Sequence, residues 1–256
     1  NFNFGQNGDV HLQDFHLVGP AGNDGASDEG ANCNAKGDNG EDAMRFRVVA
    51  RDVQINNFRI ELGNGGAGGT AETKKDCDPG VAKGGNGGEA GNMKISAEKG
   101  IGINSMTIVP GNGGNGGGAI AYGKDGKTTA CAGEKGGDAT ATGGDGGKNK
   151  KELSAAGAVS GIGNITINAV VGGFAGSAYA TGGKGGDGNG CKCDGGAGGK
   201  GVATGGKGGD ASVKTGGAVS ADGATGGNGG DADATGGTGG AGGQCPMAPS
   251  GGNGGK

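Results

Sequence analysis

Residues 53–69 read VQINNFRIELGNGGAGG, a short apolar segment that runs directly into a glycine tract. Four such segments recur, and each holds two apolar pairs with one extra residue between them. Alternation with a period of two predicts a β-strand, and the extra residue predicts a bend between two strands. The segments are Val10–Leu17, Val53–Ile60, Ile101–Ile108 and the weaker Ile165–Val170.

Two further features belong to the same repeat. A polar amide follows the first apolar pair, where a bend would use it; the amides are Gln13, Asn56, Asn104 and Asn168. A shorter apolar alternation precedes each segment, at Phe2 and Phe4, Phe46 and Val48, Met93 and Ile95, and Leu153 and Ala155. The sequence therefore begins at the beginning of a repeat.

Glycine dominates the rest of the chain, with 74 of 256 residues, while 31% of residues are hydrophobic, 3% are aromatic and Trp is absent. An ordinary side-chain core cannot be built from this composition. The hexad G-G-x-G-G-x occurs ten times, starting at Gly65, Gly84, Gly113, Gly143, Gly182, Gly195, Gly205, Gly226, Gly236 and Gly251. Only 5 prolines occur and no strict G-X-Y frame persists, which excludes collagen.

A period of three is the period of polyproline II, so the hexads predict polyproline II helices with two bare faces. Bare faces let neighbouring helices approach until backbone groups pair between them, and backbone then replaces side chains as the core. Ordering glycine is entropically costly, and crosslinks would offset part of that cost. The alternative is a flexible or disordered glycine-rich segment.

These features predict an all-β repeat protein without α-helix, in which a parallel β-solenoid-like strand stack lies beside a bundle of polyproline II helices. Each repeat would comprise strands, an outward glycine arm, a cysteine-bearing turn and a returning arm. We expect one domain over 1–256, with repeats 1–43, 44–91, 92–150 and 151–213. A terminal glycine-only hairpin, 214–256, would have no strand segment.

Six cysteines lie one or two per repeat, outside the apolar segments: Cys33, Cys77, Cys131, Cys191, Cys193 and Cys245. This spacing predicts disulfides in an oxidising, extracellular compartment. Fifteen pairings are open, and pairing between adjacent repeats, such as Cys33 with Cys77, is a guess. A zinc site is a poor alternative because Cys191 and Cys193 form a single close pair.

The hexads carry a resemblance. Gly226-Gly-Asn228-Gly-Gly-Asp231 and Gly236-Gly-Thr238-Gly-Gly-Ala241 resemble those of glycine-rich polyproline-II-bundle proteins: the springtail antifreeze proteins and the tip adhesins of some T-even-like phages. They are also similar to the glycine tracts of mycobacterial surface proteins. The resemblance covers the glycine tracts alone. It implies a fold type, and it raises ice binding and adhesion as functions.

Several functions are not expected. The net charge of −4 is small and mixed along the chain, so no basic stripe predicts a nucleic-acid partner, and no apolar run predicts a membrane span. No catalytic motif occurs, and we expect neither an enzyme nor a cofactor or metal site. The stretch Gly205–Val213 matches a calcium-binding nonapeptide only as far as Asp210. Asn164 begins a sequon, a glycosylation candidate in a secreted eukaryotic protein.

The leading expectation is a secreted structural protein that assembles end to end with copies of itself. A first strand with nothing to cover it predicts an edge at Phe2, Phe4, Val10 and Leu12 that pairs with the last repeat of another copy. A head-to-tail contact whose rotation does not close yields a filament. The alternatives are an ice-binding protein, and an adhesin that presents loops such as 72–83 and 123–135 to a receptor or glycan.

Overall fold

The computed structural model describes residues 1–5, 7–30, 32–129, 132–155, 159–161, 165–189, 194–215 and 224–242. Within these ranges the regular elements are all β-strands, and no helix occurs. The prediction of an all-β chain without α-helix is confirmed for this part of the chain. The described residues therefore contain no helix that could cross a membrane.

The strands fall into five successive repeats, each of which forms one layer of a stack. Layer one holds β1 (Phe2–Gly5), β2 (Asp9–Val18), β3 (Asp28–Glu29) and β4 (Asn34–Lys36). Layer two holds β5 (Arg45–Glu61), β6 (Ala71–Glu72) and β7 (Gly80–Lys83). Layer three holds β8 (Asn92–Ile103), β9 (Met106–Val109), β10 (Ala119–Tyr122) and β11 (Ala139–Thr142). Layer four holds β12 (Asn149–Ala155), β13 (Val159–Gly161), β14 (Ile165–Ile167), β15 (Val170–Val171), β16 (Ala178–Thr181) and β17 (Gly201–Thr204). Layer five holds β18 (Ala211–Thr215), β19 (Ala224–Thr225) and β20 (Ala232–Thr235).

The apolar segments form one sheet of nine parallel strands, which we call the strand stack: β1, β2, β5, β8, β9, β12, β13, β14 and β18. Equivalent residues of successive repeats pair directly, as Val10 does with Val53 and Val53 with Ile101. The predicted phase break is a bend at which Asp14 and Asn57 adopt positive φ angles of 50° and 52°. Asparagine and aspartate tolerate this backbone conformation better than other side chains with a Cβ.

The bend lets both halves of each segment turn their apolar side chains into one core. Phe46, Phe58 and Ile108 are at most 2% exposed there. The register corrects one sequence alignment: Met93 pairs with Lys151, and Ile95 with Leu153, so the layer-four alternation begins two residues earlier than Leu153. Lys151 occupies a core position, which an apolar pattern could not identify.

The glycine tracts form a second body beside the strand stack. Outgoing arms lead away from it at 19–29, 62–72, 110–128, 168–188 and 224–242, and returning arms lead back at 33–44, 80–91, 132–148 and 194–210. The outgoing arms contain the parallel sheet β20-β16-β10-β6-β3, and the returning arms contain β17-β11-β7-β4. Among the described residues, the buried hydrophobic cluster between these two sheets consists of alanines: Ala35, Ala71, Ala82, Ala119, Ala121, Ala139, Ala141, Ala178 and Ala180.

The stack has a fifth strand layer that the sequence did not predict. β18 (Ala211–Thr215) pairs with β12, so the boundary that we placed between residues 213 and 214 falls inside a strand. The segment ASVKT is short and carries one apolar β-branched residue, Val213, so its composition gives a weak strand signal. The exposed edge of β12 supplies the hydrogen-bonding partners that it needs.

Candidate functional site

Among the described residues, the first layer forms one edge of the strand stack. Phe2 and Phe4 in β1 are 43% and 36% exposed, and Val10 in β2 is half-buried. Leu12, the fourth candidate edge residue, is 6% exposed because it lies in the core. Three of the four predicted edge residues thus present apolar surface at this end of the stack, on strands that have one described neighbour, β5.

Aromatic rings continue the layer-to-layer packing up to that edge. The rings of Phe15 and Phe58 are stacked with centroids 5.3 Å apart and planes 8° from parallel. Phe4 lies 6.0 Å from Phe46 in a tilted arrangement. The half-buried Phe15 is the outermost ring of its column, so a further parallel layer would continue the same packing.

Backbone hydrogen bonds run through the arms with a period of three residues, in two directions. The first glycine of each pair donates along the stack: Gly65 donates to the carbonyl of Asn112 in layer three (2.9 Å). The second glycine donates across to the opposite arm: Gly66 donates to the carbonyl of Glu41 (2.9 Å). A Cβ at either glycine would collide with backbone atoms, which explains why the positions are glycine.

The second glycines link the two sets of arms into continuous zigzags. Each donates to a carbonyl in the arm before it and accepts from the arm after it. One zigzag passes through Glu41, Gly66, Gly88, Gly114, Gly147, Gly173, Gly209 and Gly227. Backbone pairing of this kind fills the interior that side chains fill in an ordinary domain.

In many triplets the N–H of the third residue points outward, and a side chain of the preceding layer accepts from it. The N–H of Ala67 donates to Oδ1 of Asp24 in the preceding layer (2.7 Å), and the N–H of Phe174 donates to Oδ1 of Asn115 (3.1 Å). The accepting side chains are Asp24, Asn39, Asp42, Asn64, Asn86, Asn92, Asn115, Asp125, Asp138, Asp145 and Asp187. We call this set the Asx ladder. The hydrogen bond from the N–H of Lys200, together with Lys135, lowers the pKa of Asp138.

The hydrogen bonds that the first glycines donate along the stack end at layer five, whose N–H groups have no described acceptor. In layer four Gly172 donates to the carbonyl of Thr225 in layer five (3.0 Å). The equivalent layer-five groups, the N–H of Gly226 and of Gly229, have no partner among the described residues. A Cβ at either position would make only an ordinary contact, because no described layer lies beyond them.

At the other end of the stack, layer one holds carbonyl groups that have no described donor. In layer two the carbonyls of Asn64 and Ala67 accept from Gly22 and Gly25 of layer one. The carbonyls of Ala21 and Asp24, the equivalent groups of layer one, accept no hydrogen bond within the described part of the chain. The two ends of the stack are therefore complementary, with donors at one end and acceptors at the other.

The structure joins Cys33 to Cys77 in a disulfide between layers one and two. Cys77 is fully buried, and its carbonyl accepts from the N–H of Lys124 in layer three (2.6 Å). In the same loop Thr73 is 1% exposed and its Oγ1 accepts from the N–H of Tyr122 (2.9 Å). Loop 72–83, which we considered as an adhesin loop, is thus packed onto layer three.

The remaining predicted site residues are not among those that the structure describes. Cys131, Cys191, Cys193, Cys245 and Asn164 lie outside the described residues. The described residues contain no group of three or more His, Cys, Asp or Glu side chains that could hold a metal ion. Asp187 accepts from the N–H of Ala241 (2.7 Å) as part of the Asx ladder.

Sequence reasoning missed a buried polar group where the strand stack meets the arms. Lys151 is 2% exposed, and its Nζ donates to the carbonyl of Gly91 (2.6 Å) and to Oδ1 of Asn149 (2.5 Å). Asn149 in turn donates to the carbonyls of Gly111 (2.6 Å) and Val171 (2.8 Å). Burial lowers the pKa of Lys151 to about 8. In the sequence Lys151 stands within the charged stretch KNKKE (148–152), so its composition predicts an exposed side chain rather than a buried one.

The two outer faces of the arms differ in charge. On the returning arms the exposed side chains include Lys36, Lys83, Asp145, Lys148, Lys207 and Asp210. On the outgoing arms the exposed side chains in layers two to four include Asn64, Asn112, Asn115, Phe174 and Tyr179. Phe174 and Tyr179 are 50% and 46% exposed. Close to the strand stack, over 62–70, 110–122 and 168–181, the outgoing arms carry no charged residue and hold both of these exposed rings. Farther out, charged side chains are exposed: Asp125, Lys127, Lys184 and Asp187.

Comparison with known proteins gives little further guidance. No family model and no curated protein matches the sequence. One solved structure that matches weakly is the nine polyproline type II helical bundle springtail antifreeze protein from Granisotoma rainieri, whose crystal waters match the ice lattice. The match has 21% identity and a TM-score of 0.16, and it covers 86% of this chain and 94% of the other. At that TM-score the likeness carries no argument about fold or function.

Proposed function

We propose that this protein is an extracellular structural protein that assembles end to end, with layer five of one copy stacked on layer one of the next. We further propose that its glycine arms are polyproline II helices. The three-residue period of the arm hydrogen bonds supports that conformation, since a helix with three residues per turn directs successive N–H groups to three sides.

The observation that carries the assembly proposal is the complementarity of the two end layers. The free N–H groups of Gly226 and Gly229 match the free carbonyls of Ala21 and Asp24 in position. Equivalent N–H and carbonyl groups form hydrogen bonds between adjacent layers within the chain. Unpaired backbone edges are ready templates for association. Each joint would also cover the exposed rings of Phe2 and Phe4.

Such a joint repeats the contact that already exists within the chain. Equivalent strands of successive layers pair in parallel, so we expect an added copy to continue the stack rather than to close it into a ring. The contact is heterologous, with different surfaces on the two partners, and it yields a polar filament. Five layers at about 4.8 Å each give an axial repeat of about 24 Å per copy.

An extracellular location is part of this proposal. The Cys33–Cys77 disulfide links two layers and fits an oxidising compartment. In the chain-entropy model a crosslink over a sequence separation of 44 residues lowers the entropy of the unfolded chain. A glycine-rich chain benefits most from such a restraint because its unfolded state is unusually disordered.

Electron microscopy of the purified chain tests the proposal. We expect filaments whose images show an axial spacing near 4.8 Å between layers. Gly229→Pro removes a free donor at the joint and leaves the fold intact, because that N–H has no partner among the described residues. We expect this variant to stay monomeric or to need a much higher concentration to assemble.

Gly239→Pro is the matched control. Its N–H is equally free, and the space around a Cβ is equally open. The outgoing arm of layer one ends near Glu29, so it offers no carbonyl opposite Gly239. Filaments should form normally in this variant. Monodisperse single particles of the unmodified chain at high concentration, or equal assembly of both proline variants, would contradict the proposal.

Ice binding is the second candidate, and the uncharged part of the outgoing arms near the strand stack favours it. An ice-binding plane needs a flat array of small uncharged side chains, and Asn64, Asn112 and Asn115 meet that description. The projecting rings of Phe174 and Tyr179 interrupt the plane and weigh against it. Thermal hysteresis of the full chain tests this candidate, and its absence at millimolar protein would remove it.

A further inference from the structure

A groove of about 300 Å³ crosses the outer face of the outgoing arms. Its floor is glycine backbone, and the side chains of Asp24, Asn64, Asn112, Asn115 and Phe174 stand around it. The groove exists because every third residue projects outward while the glycines between them have no side chain. Its volume lies at the lower end of the range for small-molecule sites, about 300–1,000 Å³.

The asparagines offer donors in fixed positions. Oδ1 of Asn64 accepts from the backbone N–H of Asn112 (2.8 Å), and Oδ1 of Asn115 accepts from the N–H of Phe174 (3.1 Å). Each amide oxygen is therefore engaged within the protein, and this orients the side chain. The two Nδ2 groups are the remaining hydrogen-bonding groups of these side chains, and both are donors. Prior orientation lowers the entropic cost of binding.

An acceptor and an apolar surface complete the groove. Oδ1 of Asp24 accepts from the N–H of Ala67 (2.7 Å), which fixes the carboxylate and leaves its second oxygen as an acceptor. Phe174 is 50% exposed although its backbone is held in the ladder. An exposed aromatic ring on a rigid backbone is a common feature of recognition surfaces.

This combination points to one ligand class. None of the described residues that line the groove is basic, and Asp24 is acidic, so phosphate or sulfate groups are disfavoured. A neutral sugar has hydroxyl groups that both donate and accept, and a C–H face that packs on an aromatic ring. The geometry points to this groove as a binding site for a residue of a neutral polysaccharide, with Phe174 as the platform and Asn64, Asn115 and Asp24 as the polar contacts.

The site is independent of end-to-end assembly, since layers one to four of a single chain supply all of its residues. It also differs from binding through loops such as 72–83, because the contacts come from the rigid arms. In a filament the groove would recur once per copy, so a long polysaccharide would meet several sites and bind with increased avidity.

Titration of the full chain with neutral glucose, mannose and galactose hexasaccharides, followed by calorimetry and NMR, tests the site. We expect at least one to bind. Phe174→Ala should weaken binding about tenfold through loss of the platform. Asn115→Asp keeps an oxygen for the N–H of Phe174 but removes the Nδ2 donor, so it should weaken binding about tenfold without loss of thermal stability.

Two variants on the opposite face are matched controls. Val202 is 50% exposed, as Phe174 is, so Val202→Ala deletes a similarly exposed apolar group. Asn39 makes the same ladder bond, to the N–H of Asn86 (2.8 Å), so Asn39→Asp repeats the amide change. Both should bind as the unmodified chain does. The site is refuted if no neutral hexasaccharide binds at millimolar concentration. Equal effects on both faces, or thermal hysteresis lost in Phe174→Ala without sugar binding, also overturn it.

Discussion

The strand stack and the glycine arms bury their interiors by opposite means. In the strand stack, large side chains such as Phe58 and Ile108 fill the space between strands. In the arms, backbones approach until carbonyls such as that of Gly69 lie where a Cβ of Gly117 would be. The first core tolerates small losses of volume, since its atoms make many weak contacts. The second has no volume to lose or gain, so a single added carbon should be more harmful there than a whole deleted ring in the stack.

Gly117→Ala tests that contrast most strongly. The added Cβ would collide with the carbonyl oxygen of Gly69, which is backbone and cannot move aside. We expect a loss of more than about 5 kcal/mol or failure to fold, measured by thermal or denaturant unfolding. Gly226→Ala is the control, because a Cβ there lies 3.6 Å from its nearest neighbour, the carbonyl of Gly209. Similar stability of the two variants would contradict a backbone-packed core.

Phe58→Ala makes the corresponding change in the strand stack. Phe58 is 2% exposed and packs against the rings of Phe15 and Phe46. Removing the ring should reduce the free energy of unfolding by about 3–5 kcal/mol while the chain still folds. Chemical denaturation with the fluorescence of a tyrosine in the arms, such as Tyr179, reports whether the arms unfold together with the stack. A larger loss than that caused by Gly117→Ala would reverse the comparison.

Much of the strand stack could be predicted from sequence, because its signal is local. The alternation and the bend identify Val53–Ile60 and its equivalents without knowledge of any neighbour. The Cys33–Cys77 pairing was one guess among several. Lys151 was missed because one of its acceptors, the carbonyl of Gly91, lies 60 positions away in another layer. Local patterning cannot show a partner that folding brings from another layer.

The arms were predictable in outline from the hexads, but their hydrogen bonds were not, because the partners come from different layers. The hexad shows which residues are glycine, but the role of its third residue depends on the register between layers. Asn86 accepts from the N–H of Asp145, a residue 59 positions away. Without that register, asparagine and aspartate in the hexads resemble ordinary solvated residues. The groove beside Phe174 was missed on the same grounds.

Replacing both Cys33 and Cys77 with alanine compares a covalent link with the hydrogen bonds that surround it. The bond closes a sequence separation of 44 residues. Its loss should lower the free energy of unfolding by about 2–4 kcal/mol, measured by denaturation with and without reductant. The double variant should lose less stability in reductant than the unmodified chain does, because its Cys33–Cys77 bond is already absent. A reductant effect of the same size on both would show that other disulfides are responsible.

Lys151 links the two bodies and makes their joint stability depend on pH. Its folded pKa, about 8, lies below the ordinary value of 10.5. Between these values the unfolded state binds more protons, so the free energy of unfolding should rise with pH, by up to about 3 kcal/mol, and should be flat below this range. Comparison of the unmodified chain with Lys151→Met isolates the effect, since other groups titrate equally in both. A slope that persists in Lys151→Met would assign the effect elsewhere.

Asn86→Ala should have the smallest effect and distinguishes the interior of the arms from their end. It removes the acceptor for the N–H of Asp145 (3.0 Å), so unfolding should require about 1 kcal/mol less.

Asn228 holds the same hexad position in the outgoing arm of layer five, where no described layer follows. Asn228→Ala should therefore leave the melting temperature of the dilute chain unchanged. In the proposed filament, however, Asn228 would accept from a layer-one N–H of the next copy, so this variant should assemble at a higher critical concentration. Light scattering against concentration measures that shift. An unchanged critical concentration would mean that the Asx ladder does not continue across the joint.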